Sequence, residues 1–354
     1  MTDFDANATR VLAVSPGGGR TFVLRIAAGL GIGAVFVVTF LRLVNFSSVS
    51  RRLEHLDLGL ALLCGAVFLG AYVVRALRWR RLLVPDIVSV PRTVAVYFVA
   101  IFVNWLLPIR GGELAKGLML RRSNAIPVSR SLATVTVDKA MDLLPAVALL
   151  AVVPFAGLHL SRSLWLLLLA ALLVLAGCVL VLGLASWRRD RTMTWLSRIL
   201  AAILPRRVSE RAGPFVGRFI DTMLALGRKP RVLLIAGIYT AAAVCLDALF
   251  CYLAFRAVGV SVQISVVLYG YTFYNLAYIL PTPPGQIGSN ELIGLLIFTG
   301  MFGVSRSAVG AMFLFSHPWT AILMAGSGLV SLSAMGLSLR ATFALPAAEE
   351  VRGE

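Results

Sequence analysis

Of the nine ionisable side chains between Asn104 and Asp142, in NWLLPIRGGELAKGLMLRRSNAIPVSRSLATVTVDKAMD, six fall at or near membrane depth, Arg110, Glu113, Lys116, Asp138, Lys139 and Asp142, while Arg121, Arg122 and Arg130 mark a return to a basic environment. Charges at membrane depth cost about 2.5–3.5 kcal/mol each, so they are retained where they do work. Glu113 and Lys116 are three residues apart. Asp138 and Asp142 are four apart on one helical face, with Lys139 three residues before Asp142. Three cations, Arg110, Lys116 and Lys139, can bind an anionic head group while the acids hold them in place or exchange a proton. The plainer account is that these pairs only steady the segments that carry them.

The same stretch breaks its own helix at Pro108, Gly111 and Gly112, just after Asn104. A second broken stretch, from Tyr271 to Glu291, carries PTPPGQIGSNE with Pro281, Pro283, Pro284, Gly285 and Gly288. Its polar residues are Gln286, Asn290 and Glu291, and we place Asn104, Asn290 and Glu291 with the first group as candidate substrate-binding residues. Helix N-termini after the breaks, near Gly112 and Gly288, would turn partial positive charge toward the same phosphate. Asp247, in mid-span, faces either break or pairs with a neighbouring helix.

The elements that must position these residues are membrane spans. The 354 residues are 59% hydrophobic and 14% charged, with mean hydropathy +0.89; several windows reach the roughly 20 apolar residues that cross a bilayer. The net charge of +17 does not indicate nucleic acid, because the basic residues, nearly all Arg, flank apolar segments and so read as topology signals and contacts with anionic lipid. Cys64, Cys178, Cys245 and Cys251 lie inside apolar segments and read as small hydrophobes. His55, His159 and His317 are scattered, so neither metal nor cofactor is expected. The sequence lacks GxSxG, HExxH, P-loop and CxxC patterns, and Asp3-Phe4-Asp5 sits in a tail. Catalysis therefore has little support.

In chain order we expect a tail over 1–21, a single membrane domain over 22–340 and a tail over 341–354. The first span, 22–41, holds Gly29, Gly31 and Gly33, which suit close helix packing; 42–57 is a mixed-charge connection. Residues 58–77 cross and end in Arg75, Arg78, Arg80 and Arg81, the orientation mark that places this end in the cytoplasm together with both termini. Residues 93–107 and 112–122 form a hairpin around the first break, 131–157 cross outward and 163–185 return. The connection 186–231 holds eleven Arg/Lys against Asp190, Glu210 and Asp221. Phe215, Phe219, Ile220 and Met223 recur there at helical spacing, to lie on the inner leaflet or pack on the bundle. Residues 232–255 cross again, 264–281 and 287–303 flank the second break, and 308–338 return.

Val128-Ser129-Arg130-Ser131 recurs as Val304-Ser305-Arg306-Ser307, and each copy follows a proline, Pro108 or Pro284, by 20 residues. The pattern is span–hairpin–span twice, over about 58–157 and 232–338. The charge rule opens one hairpin inside and the other outside. Paired Gly/Pro-interrupted segments in corresponding halves point to a transporter's midplane site. The expected fold is thus an all-α polytopic membrane protein, about six full spans plus two re-entrant hairpins in an inverted repeat. The rival treats both hairpins as full crossings kinked by proline.

The blocks NWLLPIRGGELAKGLML, DKAMDLL and ILPTPPGQIGSNE resemble those of the lysylphosphatidylglycerol synthetase transmembrane region, the flippase-like UPF0104 membrane proteins, over roughly residues 20–340. The resemblance implies a multi-span protein of a bacterial-type inner membrane that moves an anionic lipid or lipid-linked intermediate between leaflets. It points to Pro108, Gly112, Glu113, Asp138, Lys139, Asp142, Pro281, Gly285, Gly288 and Glu291. The aminoacyl-transferase domain of the full-length synthetases is absent, so lysine transfer is not implied. His317-Pro318 stands where the repeat would put a counterpart to Asp138–Asp142. Two other readings belong to different classes: an intramembrane transferase acting on a lipid-linked sugar, and a non-transporting partner subunit of a lipid or glycan synthase. Membrane lipids are the expected partners.

Overall fold

The computed structural model describes residues 19–106, 111–152, 187–203, 206–277 and 283–337, with scattered positions between 166 and 184. Pro108, Arg110 and Pro281 lie outside the described residues, as does Cys178. Among those described there is no strand. The helices are α1 (Gly19–Leu43), α2 (Phe46–Glu54), α3 (Leu58–Leu82), α4 (Val90–Leu106), α5 (Gly112–Asn124), α6 (Val128–Val152), α7 (Arg189–Ile203), α8 (Arg206–Gly227), α9 (Pro230–Ala257), α10 (Ile264–Ala277), α11 (Ser289–Gly294) and α12 (Arg306–Ala334). A π turn, Leu295–Thr299, extends α11.

Local chemistry sets the helix starts. Asp57 caps α3 by accepting from Leu60 N at 2.9 Å, and Ser305 caps α12 by accepting from Ala308 N at 3.3 Å. The 42–57 connection differs from expectation. Asn45 caps a further helix, α2, which turns 90° from α1 because fully buried Val49 packs with Val44 over Gly310 of α12.

Three helices, α3, α9 and α12, are long and apolar enough to cross a membrane, and α1–α2 counted as one bent span gives a fourth. Among the described residues, then, three or four of the expected six crossings are of full length. The other two are 131–157, whose helix α6 is not among those long and apolar enough, and 163–185, which lies largely outside the described residues. The hairpin helix α4, with 17 residues, is only about 26 Å long, short of the ~30 Å hydrocarbon core.

The frame is the long antiparallel pair α3–α9. At one end Asp57 N donates to Ala257 O at 3.0 Å; at the other Lys229 Nζ reaches Val84 O at 3.3 Å. The first hairpin opens at the Lys229 end, where Arg92 at the start of α4 donates to Ser123 O at the end of α5, 3.4 Å away, and Asp86 pairs with Arg130 of α6 at 3.0 Å. The second opens at the Ala257 end, where residues 259–263, Val266 and residues 302–305 line one groove. Neighbours correspond as well. α3 packs on α4 and α6 as α9 packs on α10 and α12, and α4 meets α12 as α10 meets α6.

Glycine permits the closest approaches. A side chain at Gly112 would fall 2.0 Å from Ala100 O, which is how α5 folds back along α4. At Gly288, with φ +77°, it would fall 2.7 Å from Val37 N and 2.8 Å from Gly33 O, so α1 seats directly on the second break. The packing expected of the first glycine run is met at Gly33. In the 186–231 connection, α8 packs on α6 with Ile220 and Leu226 buried, the bundle-packed alternative.

A Gly112→Ala variant is expected to lose about 1–3 kcal/mol through overpacking against backbone that cannot move aside. Gly237→Ala, with nothing within 4 Å of the added carbon, should be neutral or stabilising by up to about 1 kcal/mol. Thermal unfolding of the two variants in detergent measures the contrast.

Candidate functional site

The centre of the site is a residue the sequence reading placed elsewhere. Arg75 and Arg78, taken above as topology marks, correct that reading: both lie inside the bundle, and Arg80 and Arg81 alone remain at the helix end. Arg78 is wholly buried. Its Nε donates to Asp138 Oδ1 at 2.7 Å, Nη1 to Thr240 Oγ1 at 3.1 Å, and Nη2 to Asp142 Oδ1 at 2.7 Å and Asp138 O at 2.9 Å. One planar fork thus ties α3 to α6 and α9, which a lysine could not do. Arg75, one turn earlier, forms a two-pronged pair with Asp247 and lies 3.7 Å from Asp142 Oδ1. Asp247 therefore takes the helix-neighbour alternative.

The lysines divide. Lys116 is 1% exposed, sits 3.7 Å from the Tyr97 ring centre and pairs with Glu113 at 3.1 Å, with Asp138 at 3.9 Å. Its ammonium serves Glu113 from behind Tyr97, whose hydroxyl donates to Asp138 Oδ2 at 3.2 Å. Lys139 is 48% exposed and lies 3.2 Å from Glu113 Oε1 and 3.7 Å from Asp142 Oδ2. Arg75, Arg78, Lys116 and Lys139 thus face Glu113, Asp138, Asp142 and Asp247, a balanced set within the described residues. Pairing of this kind is what makes buried charge tolerable.

Each break has its freed backbone met by a side chain from another element. At the first, Asn104 Oδ1 accepts from Gly112 N at 2.8 Å while its Nδ2 donates to Glu113 Oε1 at 3.2 Å. At the second, His317 of α12 contacts the Gly285 carbonyl through Nε2 at 2.8 Å and Glu291 Oε1 through Nδ1 at 2.5 Å. A capping side chain that also grips a glutamate thus occurs twice. Asn290 Nδ2 donates to Gln286 Oε1 at 3.2 Å. Irregular backbone at this depth requires such partners.

The two breaks adjoin. Trp105, next to Asn104, lies 3.7 Å from where a Gly285 side chain would start. Between them is a cavity of about 820 Å³ whose wall includes Asn104, Glu113, Lys139 and Asp142 from the first half, Gln286, Asn290 and His317 from the second, and Arg75 and Asp247 from the α3–α9 frame. Tyr72, Tyr97, Tyr271 and Tyr274 line it too, as do Met223 and Leu226 of α8. Asp138 and Lys116 stand behind the wall, and Glu291 lies behind His317. Pro283, Gly285 and Gly288 are buried in the second break, and Gly111 directly precedes α5. Two polar atoms at the cavity wall, Trp105 Nε1 and Asn290 Oδ1, are buried without a hydrogen-bond partner. Among the described residues no cluster of His, Cys, Asp or Glu could hold a metal ion.

Sequence reasoning missed Arg75, Arg78 and His317 as site residues. The available signal was charge balance: Asp138, Asp142 and Asp247 need cations, and Arg75 and Arg78 lie well inside α3.

Residues 26–328 match the family described as the lysylphosphatidylglycerol synthase TM region. A UPF0104 membrane protein of Methanothermobacter thermautotrophicus is 27% identical over 304 residues, covering 80% of this chain and 85% of the relative. A UPF0104 membrane protein of Pyrococcus horikoshii is 22% identical over 292 residues, 78% of this chain and 87% of the relative. No solved structure matches the chain.

Removing Arg78 strands Asp138 in the interior, so Arg78→Gln should destabilise by about 3–5 kcal/mol. Arg78→Lys should recover little of it, since one ammonium cannot serve Asp138, Asp142 and Thr240 together. Purified yield and the detergent unfolding midpoint read both.

Proposed function

The chain belongs to the lysylphosphatidylglycerol synthase transmembrane family, and from that premise we propose that it translocates an anionic lipid, or a lipid-linked intermediate, between the leaflets of a bacterial-type inner membrane. The observation that carries this reading is the single cavity onto which both Pro/Gly breaks turn their polar side chains. A fold steadied by isolated ion pairs would not need that convergence.

Lys139 is the cation best placed to meet a phosphate. Its two acidic partners keep other cations when it leaves, Lys116 for Glu113 and Arg78 for Asp142, so a phosphate can take Lys139 without stranding a carboxylate. Arg75 lines the same wall, and Arg110 of the first break is kept as the third contact. Lys116 becomes a positioning residue. Asn104, Asn290 and Trp105 offer hydrogen-bonding groups to the rest of the head group, and the aromatic and aliphatic wall suits its apolar neighbours.

Opposite hairpin mouths and matching neighbours support an inverted repeat over about 58–157 and 232–338, in which alternating exposure of the two hairpins passes the head group across. Arg80, Arg81, Arg121, Arg122 and Lys229, near the mouth of the first hairpin, support a cytoplasmic face there and cytoplasmic termini.

In proteoliposomes with head-group-labelled phosphatidylglycerol, the wild type is expected to exchange label between leaflets. Glu113→Gln, Asp142→Asn and Lys139→Gln should each slow exchange by roughly 10- to 100-fold, the value of one charge-assisted contact, while remaining folded by size exclusion. Unchanged rates in all three would remove the proposed site. A new covalent lipid product would favour a transferase instead.

A further inference from the structure

We propose that His317 and Glu291 form a proton-binding site that couples lipid movement to a proton gradient. The inference rests on the translocation reading above and adds its driving force.

The geometry fixes the proton count. The Gly285 carbonyl can only accept, so His317 Nε2, 2.8 Å away, carries a hydrogen. Nδ1 and Glu291 Oε1 lie 2.5 Å apart, a separation that requires one proton between them: imidazolium beside carboxylate, or neutral imidazole beside carboxylic acid. Either way the pair is uncharged. Losing that proton to water leaves a neutral imidazole and a carboxylate, and the pair becomes −1. Imidazole is the side chain whose ordinary pKa allows this step near neutral pH. Glu291 Oε2 is buried without a hydrogen-bond partner, so nothing else neutralises the second oxygen once the proton has gone.

The other charged groups of the cavity are committed. Asp142 and Asp247 are bonded to Arg78 and Arg75, and guanidinium does not deprotonate in proteins. Glu113 is held by Lys116 and Lys139, so protonating it would break two ion pairs. The hydroxyls of Tyr72, Tyr97, Tyr271 and Tyr274 ordinarily titrate near pH 10. Helix α2, also packed on α12, contributes nothing to the cavity wall.

The site is also mechanically placed. His317 holds the Gly285 carbonyl at the point where Trp105 of the first break meets the second. The segment it holds has three positive-φ residues within four positions, Gly285 at φ +65°, Gln286 at +58° and Gly288 at +77°, with only Ile287 extended between them. The Gln286 conformation is unfavourable for a residue with a side chain, so the loop depends on its outside contacts. Proton occupancy and the fit between the breaks therefore share one side chain.

The sign follows from the charge. With the proton bound, the balanced cavity accepts an anionic phosphate; without it, the added −1 repels one. Lipid and proton should move together, and lipid should accumulate in the leaflet facing the higher pH.

The test uses the full chain in phosphatidylethanolamine–phosphatidylglycerol vesicles with head-group-labelled phosphatidylglycerol, the membrane potential clamped at zero by valinomycin and equal potassium. For one proton per anionic lipid, a pH difference of about one unit should drive the label to about a tenfold leaflet ratio. His317→Gln and Glu291→Gln should leave that ratio at one, and Gly237→Ala should keep it. Wild type that exchanges label without a gradient but holds a ratio of one under it would overturn the coupling and leave translocation standing. No exchange under any condition would take down both. Should the variants not fold, 15N-histidine spectra of the wild type decide the matter, since the chain has three histidines and those of His55 and His159 can be assigned by their own Gln variants. The remaining imidazole must change protonation across the pH range of coupled transport, and a fixed spectrum there overturns the proposal.

Discussion

A guanidinium with no access to water sets the terms for the rest of this structure. Arg78 satisfies Asp138, Asp142 and Thr240 at once, and so joins α3, α6 and α9 at a depth where any unpaired member of the set would be costly. Around it the surrounding charges are balanced: Arg75 answers Asp247, Lys116 answers Glu113, and Lys139 bridges Glu113 and Asp142. That balance lets a chain so apolar carry charged groups on the wall of an internal cavity. It also leaves Lys139 as the cation whose release strands no acid, which turns a stabilising cluster into one able to exchange partners.

The second constraint is backbone. Breaking a helix in an apolar setting frees N–H and C=O groups that lipid cannot satisfy. The two breaks meet this need by one logic with different residues. Asn104 receives the Gly112 amide and grips Glu113; His317 meets the Gly285 carbonyl and grips Glu291. An asparagine cannot titrate and an imidazole can, so the two halves of a similar architecture differ in chemistry. The glycines serve the same need sterically, since Gly112 and Gly288 stand where any side chain would meet neighbouring backbone.

Membership in the lysylphosphatidylglycerol synthase transmembrane family agrees with blocks visible in the sequence, and those blocks are the parts that build the cavity: the P-x-x-G-G-E segment at one break, D-K-A-M-D on the facing helix, and P-x-P-P-G-x-x-G-x-x-E at the other. What the family likeness did not convey is the role of α3, whose RALRWRR segment reads in one dimension as a single basic cluster.

The sequence by itself determined the membrane character, the approximate extents of the described apolar helices though not α2, α7 or α8, and the breaks at Gly111–Gly112 and Pro283–Gly288, because hydropathy, capping and glycine or proline chemistry act over a few neighbouring residues. It also placed Asp138, Lys139 and Asp142 together, and Glu113 with Lys116, by helical spacing. Tertiary structure alone decided that Arg75 and Arg78 point inward to those acids while Arg80 and Arg81 stay at the helix end, that Lys116 withdraws behind Tyr97, that Asp247 turns to Arg75, and that His317 reaches across 26 residues of chain to Glu291. Each of these is a pairing between side chains distant in sequence. The energy of such a pair depends on how helices cross and on what shields the charges from water, and a linear pattern of residue types does not contain that information.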